Sequence, residues 1–396
     1  MTMGWLRDLL DKISPEFKDG GRLEKFAPIF EATDTIFFST DERTESGPHI
    51  RDSVDIKRVM ILVVMALIPC YVFGAINVGY QRALVYGLST TWFENLVTGL
   101  IAIGPIILVT FLSGAFWELL FGVVRKHPIS EGFLVTCALI PLTLPPSIPL
   151  WQVAVATTFG IVIGKEIFGG VGMNIFNPAL TARAFLYFTY PADISGDKIW
   201  VLSPDGYSGP TALSIPAGQT NTNAIDLLDK ASSDLVFDYS WINMFMGWIP
   251  GSIGETNKWI ILLGAFFLIL VGITSWRVML GSVLGMTTMA LIMNLLSPYS
   301  TNAMLTIPPH YHFVMGSFLF GTVFMATEPV TGAHTNKGRW IYGILIGMLT
   351  VIIRSINPAY PEGIMLAILL MNAFAPLIDY FVVQINIKKR LSRYAQ

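Results

Sequence analysis

Two kinds of residue in this chain could do chemistry: a hydroxyl on a short polar loop, and ionisable side chains stranded inside apolar runs. The loop is Asp205-Gly206-Tyr207-Ser208-Gly209-Pro210-Thr211-Ala212-Leu213. Gly206 and Gly209 keep its backbone open to a bulky partner, and Pro210 holds the turn before Thr211. A phosphate-bearing group could be esterified to such a hydroxyl; the alternative is a surface turn whose Thr is merely solvated. Charged side chains inside spans are costly and point to function. Here they are Glu118 after Phe116-Trp117, the adjacent Lys165-Glu166, Arg183, Glu328 directly before Pro329, and Asp379. Lys165 and Glu166 read as a mutual pair at the membrane interface. Arg183 has three outlets: a phosphate, a buried carboxylate, or snorkelling to water. A carboxylate at a helix break can stop a cation, because freed backbone carbonyls complete an oxygen shell. Glu328 has that setting. Phe320 and Phe324, four apart and so on one face, precede it as packing or as a gate.

The elements that position these groups follow from composition. Of 396 residues, 53% are hydrophobic and only 13% charged, against about 25% charged in a soluble domain. With a mean hydropathy of +0.60 this is an all-α polytopic membrane protein, long enough for about ten spans of roughly 20 residues. Cys70 and Cys137 lie inside apolar runs with no ligand at metal spacing, so no metal site is expected. Phosphate-cradling glycine loops, Ser/His/Asp arrangements and zinc-hydrolase signatures are absent from the sequence. Nothing suggests nucleic-acid binding.

Residues 1–58 form an amphipathic N-terminal segment suited to the cytoplasmic membrane surface. Spans are expected at 59–79, 97–122, 131–146, 149–168 and 178–191, then at 259–276, 278–297, 310–327, 339–356 and 361–385. That gives membrane halves at 59–191 and 259–385, an extracytoplasmic segment at 192–258 and a basic cytoplasmic tail at 386–396. With the N-terminus inside, 19 of the 25 Lys and Arg fall on the inner side, as retention of positive charge requires. Both termini are then cytoplasmic and Thr211 faces outward. An internal echo supports two halves. Gly132-Phe133-Leu134…Pro145 followed by Asn177-Pro178-Ala179 recurs as Ser317-Phe318-Leu319…Pro329 followed by Asn357-Pro358-Ala359. Five spans per half makes the second half inverted, with broken helices near the midplane.

Several strings together resemble a known family: Ser46-Gly47-Pro48-His49-Ile50-Arg51-Asp52-Ser53, Gly114-Ala115-Phe116-Trp117-Glu118-Leu119-Leu120-Phe121, Lys165-Glu166-Ile167-Phe168-Gly169-Gly170, Ile249-Pro250-Gly251-Ser252-Ile253-Gly254-Glu255, and Phe324-Met325-Ala326-Thr327-Glu328-Pro329. Their order and extent resemble the B subunit of the Na+-translocating NADH:quinone oxidoreductases across essentially the whole chain. The resemblance implies a multi-pass subunit of a six-subunit complex in the bacterial inner membrane. That complex passes electrons from NADH to ubiquinone and exports Na+, and the implied fold is ammonium- and urea-channel-like.

The resemblance also implies site residues. FMN is joined through its phosphate to Thr211, in a motif that includes Ser208 and Gly209, with Pro210 where the family usually has Ala. Riboflavin is held without a covalent link near Asn174 and Asn177. Quinone is assigned near Gly114 and Glu118. Na+ transit is assigned to Glu31, Glu118, Glu328 (usually Asp in the family) and Asp379, beside Phe320 and Phe324. The implied partners are five other subunits, ubiquinone, Na+, a flavin transferase and membrane lipid. Two alternatives share the spans: the D subunit of an Rnf-type ferredoxin:NAD+ oxidoreductase, and a flavin-free channel or carrier.

Overall fold

A computed structural model describes residues 4–17, 21, 23, 30, 47, 56–125, 132–197, 199–204 and 207–394. Among them the chain is helical, apart from one isolated bridge between Thr220 and Asn302. Helix α1 (Gly4–Phe17) is amphipathic and carries an Arg7–Asp11 pair at 3.2 Å. Then come α2 (Ile56–Tyr86), α3 (Trp92–Arg125), α4 (Gly132–Leu142), α5 (Leu150–Val162) and α6 (Pro178–Thr189). After α7 (Ala224–Asp234) and α8 (Trp241–Met246) come α9 (Lys258–Leu270), α10 (Trp276–Leu296), α11 (Pro309–Val314), α12 (Phe318–Phe320), α13 (Asn336–Ile356) and α14 (Ile364–Tyr394). Six of the described helices are long and apolar enough to cross a membrane, and α4 and α9 are shorter apolar helices. The protein is a multi-pass membrane protein.

Helix α3 shows why these runs fold as membrane helices. Its buried positions are Asn95, Gly99, Ile103, Ile106, Thr110, Gly114, Glu118 and Gly122, one stripe at helical spacing. Small and polar residues face inward, while Ile101 is 71% exposed and Leu112 61%. An apolar outer face is stable only against lipid, where no hydrophobic force drives it inward.

The eighth expected span is not one helix. It ends as α11 at Val314, turns through Gly316 at φ +61, restarts as α12 and finishes in a π-turn at Gly321–Met325. Helix α4 has 11 residues, about 16 Å of rise and roughly half a hydrocarbon core. Irregular backbone at such depth must find partners inside the protein. For α4 the loop before α9 provides them: Gly254 N donates to Leu142 O at 2.8 Å and Ile253 N to Leu144 O at 3.3 Å.

Helices α10 and α13 approach through facing glycines. A Cβ at Gly285 would lie 2.0 Å from Ile344 O, and one at Gly347 2.0 Å from Ser282 O. Small residues four apart on both helices let the backbones touch. Gly285→Leu is therefore expected to lower stability by about 1–3 kcal/mol or more through overpacking. A thermal unfolding midpoint unchanged from the parent would contradict the close approach. Over the end of this bundle residues 201–249 pack a second core, with Leu213, Phe237, Tyr239 and Met244 meeting Met304, Val314 and Met315.

Candidate functional site

One cavity of ≈ 760 Å³ gathers residues from both halves: Lys165, Asn174 and Asn177 from the first, Phe324, Thr327 and Glu328 from the second. Asn177 begins α6. Its Oδ1 accepts from Ala179 N at 3.0 Å and Leu180 N at 3.1 Å, while Pro178 occupies the first helical position, an arrangement that fixes the Asn at the break. Asn174 Nδ2 donates to Phe176 O at 3.2 Å and faces Glu328 Oε1 at 3.5 Å. Glu328 Oε2 accepts from Thr331 Oγ1 at 2.7 Å. Asn372 of α14, its amide turned so that the oxygen meets a donor, accepts from Asn177 N at 3.1 Å and donates to Tyr342 Oη at 2.7 Å. Asn174 also borders a second cavity of ≈ 670 Å³ that contains Asp379. Asp379 is committed to protein donors: Oδ2 accepts from His334 N at 2.6 Å, and Oδ1 from Thr335 N at 3.1 Å and Thr335 Oγ1 at 2.5 Å.

Lys165 extends the first cavity toward Glu118. The two are 2% exposed and directly ion-paired, and Lys165 also contacts Glu166 Oε1 at 3.2 Å. Arg125, at the end of α3, holds Glu166 from the other side, Nη1 to Oε2 at 3.2 Å and Nη2 to the backbone oxygen at 2.8 Å. The expected Lys165–Glu166 pair exists, but inside the protein, because Glu118 and Arg125 complete its charge balance there. Gly114 lies one turn before Glu118 and is a packing contact: a Cβ there would come 2.3 Å from Cys137 Sγ.

The break between α11 and α12 is held by charge. Arg354 donates to His312 O at 2.9 Å, Met315 O at 3.0 Å and Glu362 O at 3.0 Å, and Lys258 to Gly316 O at 3.0 Å. Glu362 Oε2 accepts from Ser317 N at 3.0 Å and Ser317 Oγ at 2.9 Å. Cations thus meet the carbonyl end of α11 and a carboxylate meets the amide start of α12, as the helix dipoles favour. The carbonyls freed by this break are spent on Arg354 and Lys258.

Thr211 is only 7% exposed, because the second core folds over it. Its Oγ1 accepts from Ser214 N at 3.3 Å and donates to nothing among the described residues. Pro210 O accepts from Tyr239 Oη at 2.6 Å, and Ser208 Oγ donates to Asp197 Oδ2 at 3.3 Å. Gly209 is required sterically, since a Cβ would lie 2.8 Å from Val201 Cγ2.

Residues 43–388 match the model of the NQR2, RnfD, RnfE family. The chain belongs to this family. The B subunit of the Na(+)-translocating NADH-quinone reductase of Chromohalobacter salexigens is 48% identical over 98% of this chain and 97% of its own length. The corresponding B subunits of Ectopseudomonas mendocina and Yersinia pestis are each 45% identical over 98% of this chain and 99% of their own. Within the NQR2, RnfD, RnfE family the chain groups with these reductase subunits.

Of the residues singled out in the sequence, the structure of this family member brings Asn174, Asn177, Phe324 and Glu328 to one cavity. Glu118 joins them through Lys165, and Asp379 stands behind Asn174. Phe320 contacts Phe324, with ring centroids 5.1 Å apart, but lines a different cavity. Ser208, Gly209 and Thr211 adjoin the second core through Ala212 and Leu213, and none of them lines this cavity. Glu31, Asp205 and Gly206 lie outside the described residues. Sequence reasoning missed Asn372 and the roles of Lys258, Arg354 and Glu362. A polar residue within an apolar run was the available signal for Asn372, and a charged residue at a span end for the others.

Proposed function

We propose that this chain is the membrane subunit of a six-subunit complex that couples electron transfer from NADH to ubiquinone with Na+ export, within the bacterial inner membrane. The observation that carries this reading is the cavity in which a carboxylate and two asparagines from opposite halves converge on broken backbone. The names of the relatives support Na+ translocation and quinone reduction.

The residues fit the flavins that the resemblance implies. Among the described residues Thr211 keeps an uncommitted hydroxyl proton, so FMN can be esterified there by a transferase that reaches the loop while the second core is open. Asn174 and Asn177 offer amide groups on the wall of the cavity shared by the two halves, where the ring system of riboflavin would be held. A bound flavin supplies one- and two-electron redox chemistry. The protein's own part is to hold it and to keep water and ions in defined places. Glu118, balanced by Lys165, is the candidate polar contact for quinone beside Gly114.

The fold is proposed to be two inverted five-helix repeats, 59–191 and 259–385, in an ammonium- and urea-channel-like arrangement. Recurrent packing supports this. In each half the second helix packs on the fourth (α3 on α5, α10 on α13), and the fourth on the fifth (α5 on α6, α13 on α14). Across the halves, first meets first (α2 on α9) and fifth meets fifth (α6 on α14), as a pseudo-two-fold axis in the membrane plane requires. Lys and Arg placement supports cytoplasmic termini and an extracytoplasmic 192–258 segment. A cation then passes between an inner cavity at Phe324 and Glu328 and an outer one at Phe320, with the two rings as the constriction. Moving one charge against the membrane potential takes about 2.3 kcal/mol per 100 mV.

Glu328→Gln in the assembled complex tests this route. The amide keeps the shape and the Thr331 and Asn174 contacts but removes the charge. A charge-assisted interaction of about 1.5–3 kcal/mol corresponds to a KM for Na+ raised about 10- to 150-fold. Glu328→Asp, which keeps the charge, is expected to retain transport. A glutamine variant with unaltered Na+ dependence would remove Glu328 from the pathway.

A further inference from the structure

Charge accounting around the outer cavity leaves one side chain without employment. This narrow cavity is lined by Thr143, Arg183, Ser252, Ser317 and Phe320 among others. Around it Arg354 and Lys258 are spent on backbone carbonyls, and Glu362 on Ser317. Glu255 gives Oε1 to Ser252 N at 3.0 Å, while its Oε2 has no partner. Arg183 is 5% exposed and makes neither a hydrogen bond nor an ion pair among the described residues. Glu255 and Glu362 nonetheless act on it electrostatically, and the Tyr360 hydroxyl is also unpartnered. Counting Arg183, Lys258 and Arg354 against Glu255 and Glu362 leaves an excess positive charge beside Phe320. A buried guanidinium held near carboxylates but bonded to none is an expensive arrangement to retain as packing alone.

We propose that Arg183 is a fixed-charge barrier closing the outer half of the cation route, and that the free oxygen of Glu255 receives its guanidinium when an ion passes. The inference rests on the route proposed above. A like charge in a narrow, low-dielectric cavity repels Na+ however well its oxygens suit the ion, and arginines at pore constrictions exclude cations in this way. Phe320 then supplies a steric stop and Arg183 an electrostatic one at the same level. Withdrawal toward Glu255 leaves Thr143, Ser252 and Ser317 as oxygen-bearing wall for the ion to cross.

The test uses the assembled complex in liposomes, with passive 22Na+ efflux measured without NADH and exported Na+ per NADH measured with it. Arg183→Gln is expected to raise passive efflux about tenfold or more, the scale of a local potential of several kT, and to lower Na+ exported per NADH. Arg183→Lys, keeping the charge, is expected to stay tight. Glu255→Gln gives the opposite signature, with passive efflux at the parent level and a raised KM for Na+. This second variant decides the matter if Arg183→Gln does not assemble. Phe320→Ala separates the two readings. If it leaks while Arg183→Gln remains tight, or if Glu255→Gln behaves as the parent, the barrier is overturned and the route stands. If neither Phe320→Ala nor Arg183→Gln leaks, the route fails and the barrier with it.

Discussion

Thr211→Ala is expected to abolish flavin fluorescence from the denatured chain on a gel, an all-or-none effect. Among the hydroxyls of this loop, Ser208 already donates to Asp197, whereas Thr211 Oγ1 only accepts, from Ser214 N. Among the described residues, the proton that esterification must release therefore meets no acceptor on Thr211. The backbone around it is fixed independently: Pro210 O is held by Tyr239, and Gly209 fits where a Cβ would strike Val201. Removing the hydroxyl forfeits one weak hydrogen bond, about 1 kcal/mol, so loss of colour would not reflect unfolding. Thr211→Ser keeps the nucleophilic oxygen and is expected to keep part of the label. Mass spectrometry of the peptide containing Thr211 should show an added FMN mass in the parent and none in Thr211→Ala. Fluorescence persisting in the alanine variant would place the attachment elsewhere. A parent chain unlabelled beside an active transferase would end the covalent-flavin reading.

How legible the molecule is in its sequence depends on the range of the interactions involved. The long helices are plain because a lipid-facing surface needs unbroken apolar residues, and the inward stripe of α3 from Asn95 to Gly122 can be counted off by hand. The Asn177-Pro178 break is equally plain, since a cap and a helix-starting proline are local signals. Lys165 illustrates the opposite. Its neighbour Glu166 offers itself as the partner, and the second carboxylate, Glu118, lies 47 residues away on another helix. The break at Gly316 is likewise invisible as an apolar run, because Arg354, Lys258 and Glu362, remote in sequence, make it tolerable. Thr211 reads as an outward-facing loop hydroxyl, with a solvated turn as the alternative, yet the core beside it is assembled from residues 224–249 and 304–315. Local chemistry is readable, and partners supplied by topology are not.

That remote pairing sets the other large expectation. Lys165→Met should destabilise the assembled chain by about 3–5 kcal/mol, the usual cost of removing one partner from a buried ion pair. Among the described residues Arg125, Lys165, Glu118 and Glu166 form a chain of two positive and two negative charges, of which only Arg125 reaches solvent, at 34% exposure. Methionine fills the volume of the lysine stem, so the loss isolates charge from packing. Glu118 then gives up its Lys165 partner while Arg125 still serves Glu166. Lys165→Met combined with Glu118→Gln removes one charge of each sign, and is expected to recover much of the stability, with a coupling energy well above the few tenths of independent sites. Thermal unfolding of the four members of this cycle measures it. A single-variant cost below about 1 kcal/mol, the level of exposed pairs, would mean that water reaches these carboxylates and that Lys165 does not organise the site. Recovery of stability without recovery of quinone reduction would separate the two duties of Glu118: the double variant folds because charge is balanced, yet lacks the carboxylate proposed to meet the quinone.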